Sequence, residues 1–299
     1  MVTSFLTRLN SGQPLLFDGA TGTELNRRGI DTSLPLWSAR AMLEAPDVLE
    51  QIQREYVAAG ADVITTNTFR THRRNLIEAG VDDRAEALTR QATQIACAAA
   101  ETGNGRRVFV AGSIAPLEDC YSPELVPPDG ELASEHTELA RHLAEAGADF
   151  LLVETMNTIR EAVSATRAAR ATGLTTLVSI VCDRDGNLLS GESIAAAVEA
   201  LTPLQPDGLL VNCSAAPDLH KPLRQLRDST SLPFGGYGNV GHIDMQHGWE
   251  NTDAVDPDAY AGYAKDWLEL GATVIGSCCG TSPDHTHALR KLLDNQEPV

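Results

Sequence analysis

Short runs of apolar and β-branched residues recur along the chain, at positions 15–17, 63–66, 108–111, 150–153, 176–181, 208–212, 232–235 and 273–276. Runs of this length bounded by turn residues predict buried strands. Between them lie longer Ala- and Leu-rich stretches with apolar residues at helical spacing, including 48–59, 84–100, 131–146 and 159–171, and these predict helices. Three helix ends share one punctuation: Ala-Gly-Ala-Asp at 59–62 and 146–149, and Leu-Gly-Ala-Thr at 270–273. In each the Gly supplies a left-handed cap and a short turn leads into the next strand.

Eight strand–helix units in 299 residues are the count and length of a closed (β/α)8 TIM barrel, and the predicted fold is α/β, a single barrel domain over 1–299. A doubly wound open sheet is the competing fold. No Pro/Gly/Ser-rich linker or composition shift splits the chain. The segments 120–130 and 236–256 are long and rich in turn residues. In a barrel both follow strands, where loops form the active-site face.

Composition narrows the partners. With 23 Lys+Arg against 41 Asp+Glu the formal charge is −18, which argues against nucleic acid or an anionic membrane as a partner. The expected partners are small molecules, and the oligomeric state is open. The first eight residues lack a cationic head followed by an apolar core, and no apolar run approaches the roughly 20 residues that span a bilayer. Six cysteines, two of them adjacent, are too sparse for a disulfide scaffold, so a cytoplasmic location with free thiols is expected.

The unusual residues fall at the C-terminal ends of the predicted strands, which converge on one pocket in a barrel. In order these ends read Asp18-Gly-Ala-Thr21, Asn67-Thr68, Gly112-Ser113, Glu154-Thr155, Cys182-Asp183, Asn212-Cys213-Ser214, Tyr237-Gly-Asn239 and Gly276-Ser-Cys278-Cys279-Gly280. Three cysteines thus end strands six and eight, with one strand between them around the ring. Three thiolates at the mouth, with no fourth Cys or His at ligand spacing, describe a zinc site that keeps one position open for water or substrate. A sulfur-rich site suits a sulfur substrate and would ionise an incoming thiol near neutral pH. The implied chemistry is alkylation of a thiol. A redox-active vicinal disulfide at Cys278–Cys279 is the other functional reading of the pair. Cys97, Cys120 and Cys182 read as structural.

Asp18-Gly-Ala-Thr-Gly-Thr-Glu-Leu25, Thr66-Asn-Thr-Phe69, Ala111-Gly-Ser113, Glu154-Thr-Met156, Val211-Asn-Cys-Ser214 and Gly276-Ser-Cys-Cys-Gly-Thr281 together resemble the signature set of the homocysteine S-methyltransferase family. The match runs from residue 18 to 281, in order, and the cysteine triplet in its Asn-Cys and Cys-Cys-Gly-Thr contexts is its specific part. The resemblance implies Zn²⁺ held by Cys213, Cys278 and Cys279. It implies that the turn of Asp18, Gly19, Ala20 and Thr21 holds the amino-acid end of homocysteine and that Glu154 holds its ammonium. Asn239 resembles the family's Asn after strand seven, which approaches the zinc when no thiol is bound. Asn67, Thr68 and Ser113 belong to the same set, although Thr68 and Ser113 read equally as satisfied strand-end hydroxyls.

The resemblance has departures. Gly112-Ser-Ile-Ala115-Pro116 stands where the family commonly has Gly-Ser-x-Gly-Pro, which puts the donor side of the pocket in question. Arg70, His72, Arg73 and Arg74 follow strand two closely; the arginines read as surface groups, but one pointing inward would suit an anionic donor group. Trp37, Tyr237 and Trp249 are loop candidates for a cation–π contact to an onium donor. Gly236-x-Gly238-x-x-Gly241 fits a dinucleotide fingerprint formally but opens no helix. His285 and His287 read as surface residues.

The expected function is therefore zinc-dependent transfer of a methyl group from a small sulfonium or ammonium donor, S-methylmethionine favoured, to homocysteine, giving methionine. The alternatives are a homocysteine- and zinc-binding module serving a separate corrinoid protein, and a thiol or selenol methyltransferase with another acceptor.

Overall fold

The structure, a computed structural model, describes residues 3–244 and 248–295. Eight parallel strands form one sheet: β1 (Leu15–Leu16), β2 (Val63–Thr65), β3 (Phe109–Ile114), β4 (Phe150–Met156), β5 (Thr176–Ile180), β6 (Gly208–Ala215), β7 (Phe234–Asn239) and, after a hairpin of β8 (Gly241–Asp244) and β9 (Gly248–Asn251), β10 (Val274–Ser277). Each strand pairs with its neighbour in chain order. β1 pairs with β10, and Phe17 bridges Val63 at the start of β2. The ring is thereby closed, and the fold is an α/β TIM barrel rather than an open sheet.

Four strands run three or four residues further than the apolar pattern indicated. β3, β4, β6 and β7 continue to residues 114, 156, 215 and 239, against expected ends at 111, 153, 212 and 235. The added residues mix polar side chains and glycines among apolar ones near the mouth of the barrel, so the hydropathy signal stops before the ladder does. β4 and β6 both shift register near their ends. Thr155 and Cys213 take φ values of 60° and 57° there, a left-handed conformation that costs a non-glycine residue on the order of 1–3 kcal/mol.

Inward-pointing residues alternate along each strand. Leu15, Phe17, Val63, Phe109, Phe150, Leu152, Leu177, Leu210 and Val274 form the apolar lower filling, and Ser113, Glu154, Ser179, Asn212 and Tyr237 follow as a buried, largely polar layer above it. At the opposite end the short helix Phe5–Leu9 plugs the barrel. Phe5 stacks on Phe150 with ring centroids 3.6 Å apart and meets Phe109 edge-on at 5.3 Å. Here Asp62, Asp149 and Asp207 each precede an even-numbered strand and accept the N–H of Leu16, Val110 and Thr176 on the preceding odd strand. At 59–62 and 146–149 the helix-end motif thus serves two purposes: its Asp closes a ladder edge, and its Gly (Gly60 and Gly147, at φ 111° and 100°) makes the expected left-handed cap, which Gly271 (φ 98°) makes in the third motif without an Asp.

The glycine run of β7 is explained by crowding. A Cβ on Gly236 would lie 2.9 Å from the Val211 carbonyl oxygen, and no helix follows at Gly241, which begins the hairpin. The hairpin and its flanks make up most of segment 236–256, of which 245–247 lie outside the described residues. No helix among the described residues is long and apolar enough to cross a membrane.

Candidate metal centre and active-site cavity

The strand ends enclose a cavity of about 600 Å³. Cys213, Cys278 and Cys279 line it together with Asp18, Gly19, Ala20, Thr21, Asn67, Ser113 and Glu154. The Sγ atom of Cys213 is 3.1 Å from that of Cys278 and 4.0 Å from that of Cys279, and the three sulfurs all lie within 4.8 Å of one another. Three sulfurs bonded to one tetrahedral zinc at about 2.3 Å stand roughly 3.8 Å apart. The cluster differs from that by well under 1 Å for these two pairs, and its donor set of three thiols facing a cavity fits an ion with one open position. Hydrogen bonds from Cys213 and Cys278 draw the Cys279 thiol well below its ordinary pKa, so the cluster already favours negative charge on one sulfur.

The backbone around the cysteines is held from several sides. The Cys213 carbonyl accepts from Asn239 Nδ2 at 2.7 Å and from the Tyr121 hydroxyl at 3.1 Å. Asn239 Oδ1 accepts the Cys279 N–H at 3.0 Å, and the Cys278 N–H donates to the Gly238 carbonyl. Helix Thr21–Arg27 grips the turn that follows: Thr23 Oγ1 accepts the Gly280 N–H, and Arg27 donates to the carbonyls of Gly280 and Thr281. Asn239 is buried, and its amide is committed to the backbones of two cysteines.

Glu154 and Asp18 are the buried acids. Ser113 Oγ donates to Glu154 Oε1 at 2.5 Å, and the Tyr237 hydroxyl donates to Oε2 at 3.0 Å. Burial pushes the Glu154 carboxyl up to about 7, against those two hydrogen bonds. Both Asp18 oxygens accept from Thr65, through its N–H and its hydroxyl, and burial likewise lifts Asp18 to about 7. Behind them Asn212 ties β4, β5 and β6 together. Its Oδ1 accepts from the Thr155 N–H and Ser179 Oγ, and its Nδ2 donates to Thr155 Oγ1. This network supports the two left-handed residues beside Glu154 and Cys213.

The other expected residues separate. Asn67 Nδ2 donates to the Ser38 carbonyl at 2.8 Å, anchoring the segment that carries Trp37. Thr68 does not line the cavity; it is fully buried and donates to the Ser113 carbonyl. The Ala20 N–H is taken by Thr281 Oγ1. Trp37, which packs edge-on against Phe69 at 5.4 Å, and Trp249 both line the cavity. Tyr237, read above as a loop aromatic, lies on β7 with its hydroxyl on Glu154, because that strand continues four residues past Gly235. His285, read as a surface residue, is buried: its Nδ1 accepts the Ser282 N–H as a helix cap and its Nε2 meets the Ala254 carbonyl; His287 is exposed. Arg73 and Arg74 are bound to Glu138 and to Glu118, Glu131 and Glu135. Tyr121, Thr65 and Arg27 escaped the sequence reading, since nothing in a turn-rich loop, a strand terminus or a helix end marks which residue will reach across the barrel.

The homocysteine S-methyltransferase family model matches residues 15–293, from β1 to the last helix and through every element of this site. The chain belongs to the homocysteine S-methyltransferase family. As a member it is a methyltransferase. It is 28% identical to the selenocysteine methyltransferase of Astragalus bisulcatus, covering all of this chain and 98% of that one. It is also 28% identical to homocysteine S-methyltransferase YbgG of Bacillus subtilis, covering 91% of each. The metallated form of the homocysteine methyltransferase MmuM from Escherichia coli superposes with a TM-score of 0.82 at 27% identity, covering 95% of this chain and 98% of that one.

Proposed function

We propose that this chain transfers a methyl group from a small onium donor, S-methylmethionine favoured, to the sulfur of homocysteine, with zinc held by Cys213, Cys278 and Cys279. The observation that carries this reading is the opening of a three-sulfur cluster into the same cavity as the buried carboxylate of Glu154. When bound, zinc supplies the Lewis acidity that keeps a thiol ionised near neutral pH. The thiol proton goes to solvent, the sulfur electron pair forms the new S–CH3 bond, and the donor sulfur leaves as a neutral sulfide. From S-methylmethionine both products are methionine.

The chain's own residues bind and orient. Glu154, held by Ser113 and Tyr237, receives the substrate ammonium, and the Asp18–Thr21 turn takes the amino-acid end through groups other than the Ala20 N–H. Asn239 fixes the backbones of two cysteine ligands. Asn67 holds the Trp37 segment at the rim, where Trp37 and Trp249 offer faces to a cationic donor. Thr68 acts from behind, through Ser113. Holding both reactants at attack distance is worth a large share of the barrier in such a bimolecular reaction. The likeness to a selenocysteine methyltransferase supports a selenol as a second acceptor. Six free thiols suit a cytoplasmic, reducing setting.

The test is zinc content of the reduced chain together with methionine formation from homocysteine and each of S-methylmethionine, S-adenosylmethionine and betaine. About one zinc per chain, lost in Cys213→Ser, with turnover on S-methylmethionine is the expected result. Zinc without turnover on any donor would favour a module serving a separate corrinoid protein. Absence of zinc would overturn the mechanism.

A further inference from the structure

We propose that Arg70 is the specificity residue of the donor end, receiving a carboxylate on the methyl donor, so that the donors of this chain are zwitterionic onium carboxylates. This rests on the donor reading above. Among the described residues Arg70 is the one cationic side chain lining the cavity. Its neighbours in sequence, Arg73 and Arg74, are neutralised by four glutamates, whereas Arg70 makes no ion pair or hydrogen bond among the described residues.

The acids of the cavity do not compete for it. Both oxygens of Asp18 accept from Thr65. Those of Glu154 accept from Ser113 and Tyr237, and those of Asp119 from the Tyr121 N–H and Ser122 Oγ. An unpaired arginine therefore lines a cavity whose three carboxylates are already engaged, in a chain of net charge −18. Its segment is held firmly: Asn67 is tied to Ser38 and Thr68 to Ser113, while Phe69 packs on Trp37. A planar five-donor fork on an anchored backbone suits a carboxylate, which it binds through two parallel hydrogen bonds. The adjacent Trp37 and Phe69 rings suit the onium end of the same molecule. A donor with positive and negative ends thus finds both complements on one stretch of wall.

The experiment measures equilibrium binding of S-methylmethionine and of its decarboxylated counterpart, (3-aminopropyl)dimethylsulfonium, to the zinc-loaded chain. Homoserine, which has homocysteine's amino-acid end and no thiol, is present to fill the acceptor side. The wild type is expected to bind the carboxylate donor roughly 10- to 100-fold more tightly, as a charge-assisted pair allows. Arg70→Met should abolish that preference and Arg70→Lys should retain part of it, both with an unchanged melting temperature because the side chain bonds nothing in the fold. Equal binding of the two donors by the wild type, or an intact preference in Arg70→Met, overturns the role of Arg70 and leaves the donor reading standing. Failure of the wild type to bind either donor overturns both. A parallel titration with homocysteine and 3-aminopropanethiol separates the two carboxylates: if Arg70→Met weakens homocysteine instead of the donor, the residue serves the acceptor and the proposal fails.

Discussion

The Asn239 side chain clasps the two halves of the sulfur cluster, with its Nδ2 donating to the Cys213 carbonyl at 2.7 Å while its Oδ1 takes the Cys279 N–H at 3.0 Å. β6 and the turn after β10 are 66 residues apart in sequence at these cysteines, and this one amide spans them. Supports of this kind set the affinity of a metal site by fixing its ligands before the ion arrives. Asn239→Ala is expected to weaken zinc binding about 10- to 100-fold, measured by competition with a chromogenic chelator. Asn239→Asp should not rescue it, because a carboxylate cannot donate to the Cys213 carbonyl.

Glu154 gives a pH dependence whose direction follows from burial. Its carboxyl is raised from 4.5 to about 7, so below pH 7 it is increasingly neutral and loses its attraction for the substrate ammonium. The KM for homocysteine should therefore rise as pH falls through 7, and Glu154→Gln should flatten that limb while lowering kcat/KM by roughly 10- to 100-fold.

The same shift has a stability counterpart with opposite consequences. Between pH 4.5 and about 7 the folded chain keeps a proton on Glu154 that the unfolded chain releases, so the group favours the fold at low pH and costs stability as pH rises through that window. Asp18, raised from 3.8 to about 7, adds a second such group. Glu154→Gln should accordingly raise the melting temperature at pH 8 while impairing catalysis, a divergence that calorimetry and initial rates on one preparation would show. A fall in the melting temperature would contradict it.

Gly235 lies in β7 where a Cβ would meet the Val274 carbonyl oxygen of β10 at 1.8 Å. Both atoms of that clash are backbone or rigidly attached to it, so relief requires the two strands to part. Gly235→Ala is expected to cost more than about 4 kcal/mol and to leave little soluble protein, as judged by expression and urea denaturation.

Phe5 plugs the end of the barrel remote from the cysteines. Phe5→Ala removes a buried ring stacked on Phe150 and should cost about 3–5 kcal/mol. Its KM for homocysteine should stay at the wild-type value below the melting transition, since the two rings that Phe5 packs on, Phe109 and Phe150, do not line the cavity.

Much of this architecture is written in periodicity. Apolar runs and capped helices gave all eight strands near their observed starts, because the lower filling of the barrel is apolar and alternation reports it directly. The ends of β3, β4, β6 and β7 are harder to read, since there Ser113, Glu154, Ser214 and Tyr237 interrupt the apolar run, and such a stretch reads as loop even when its backbone still pairs. For that reason Tyr237 reads as a loop residue although it lies on β7. His285 reads as a surface residue because a polar side chain opening a helix resembles a solvated one, whereas its cap to Ser282 and its Ala254 partner bury it.

By itself the sequence determined the succession of strands and helices and, for a barrel, the gathering of Cys213, Cys278 and Cys279 at one mouth, because rank along a strand sets height in a barrel and strand order sets position around it; closure itself came from the pairing of β1 with β10 and of Phe17 with Val63. Only the tertiary structure decided which polar groups bind one another and which are left facing the cavity. Asn239 turned to two cysteine backbones, Thr68 to Ser113, and Arg74 to three glutamates, while Arg70 kept its charge unpaired at the rim. Those choices depend on gaps of about 3 Å between strands and loops far apart in the chain, a scale that periodicity and spacing do not reach.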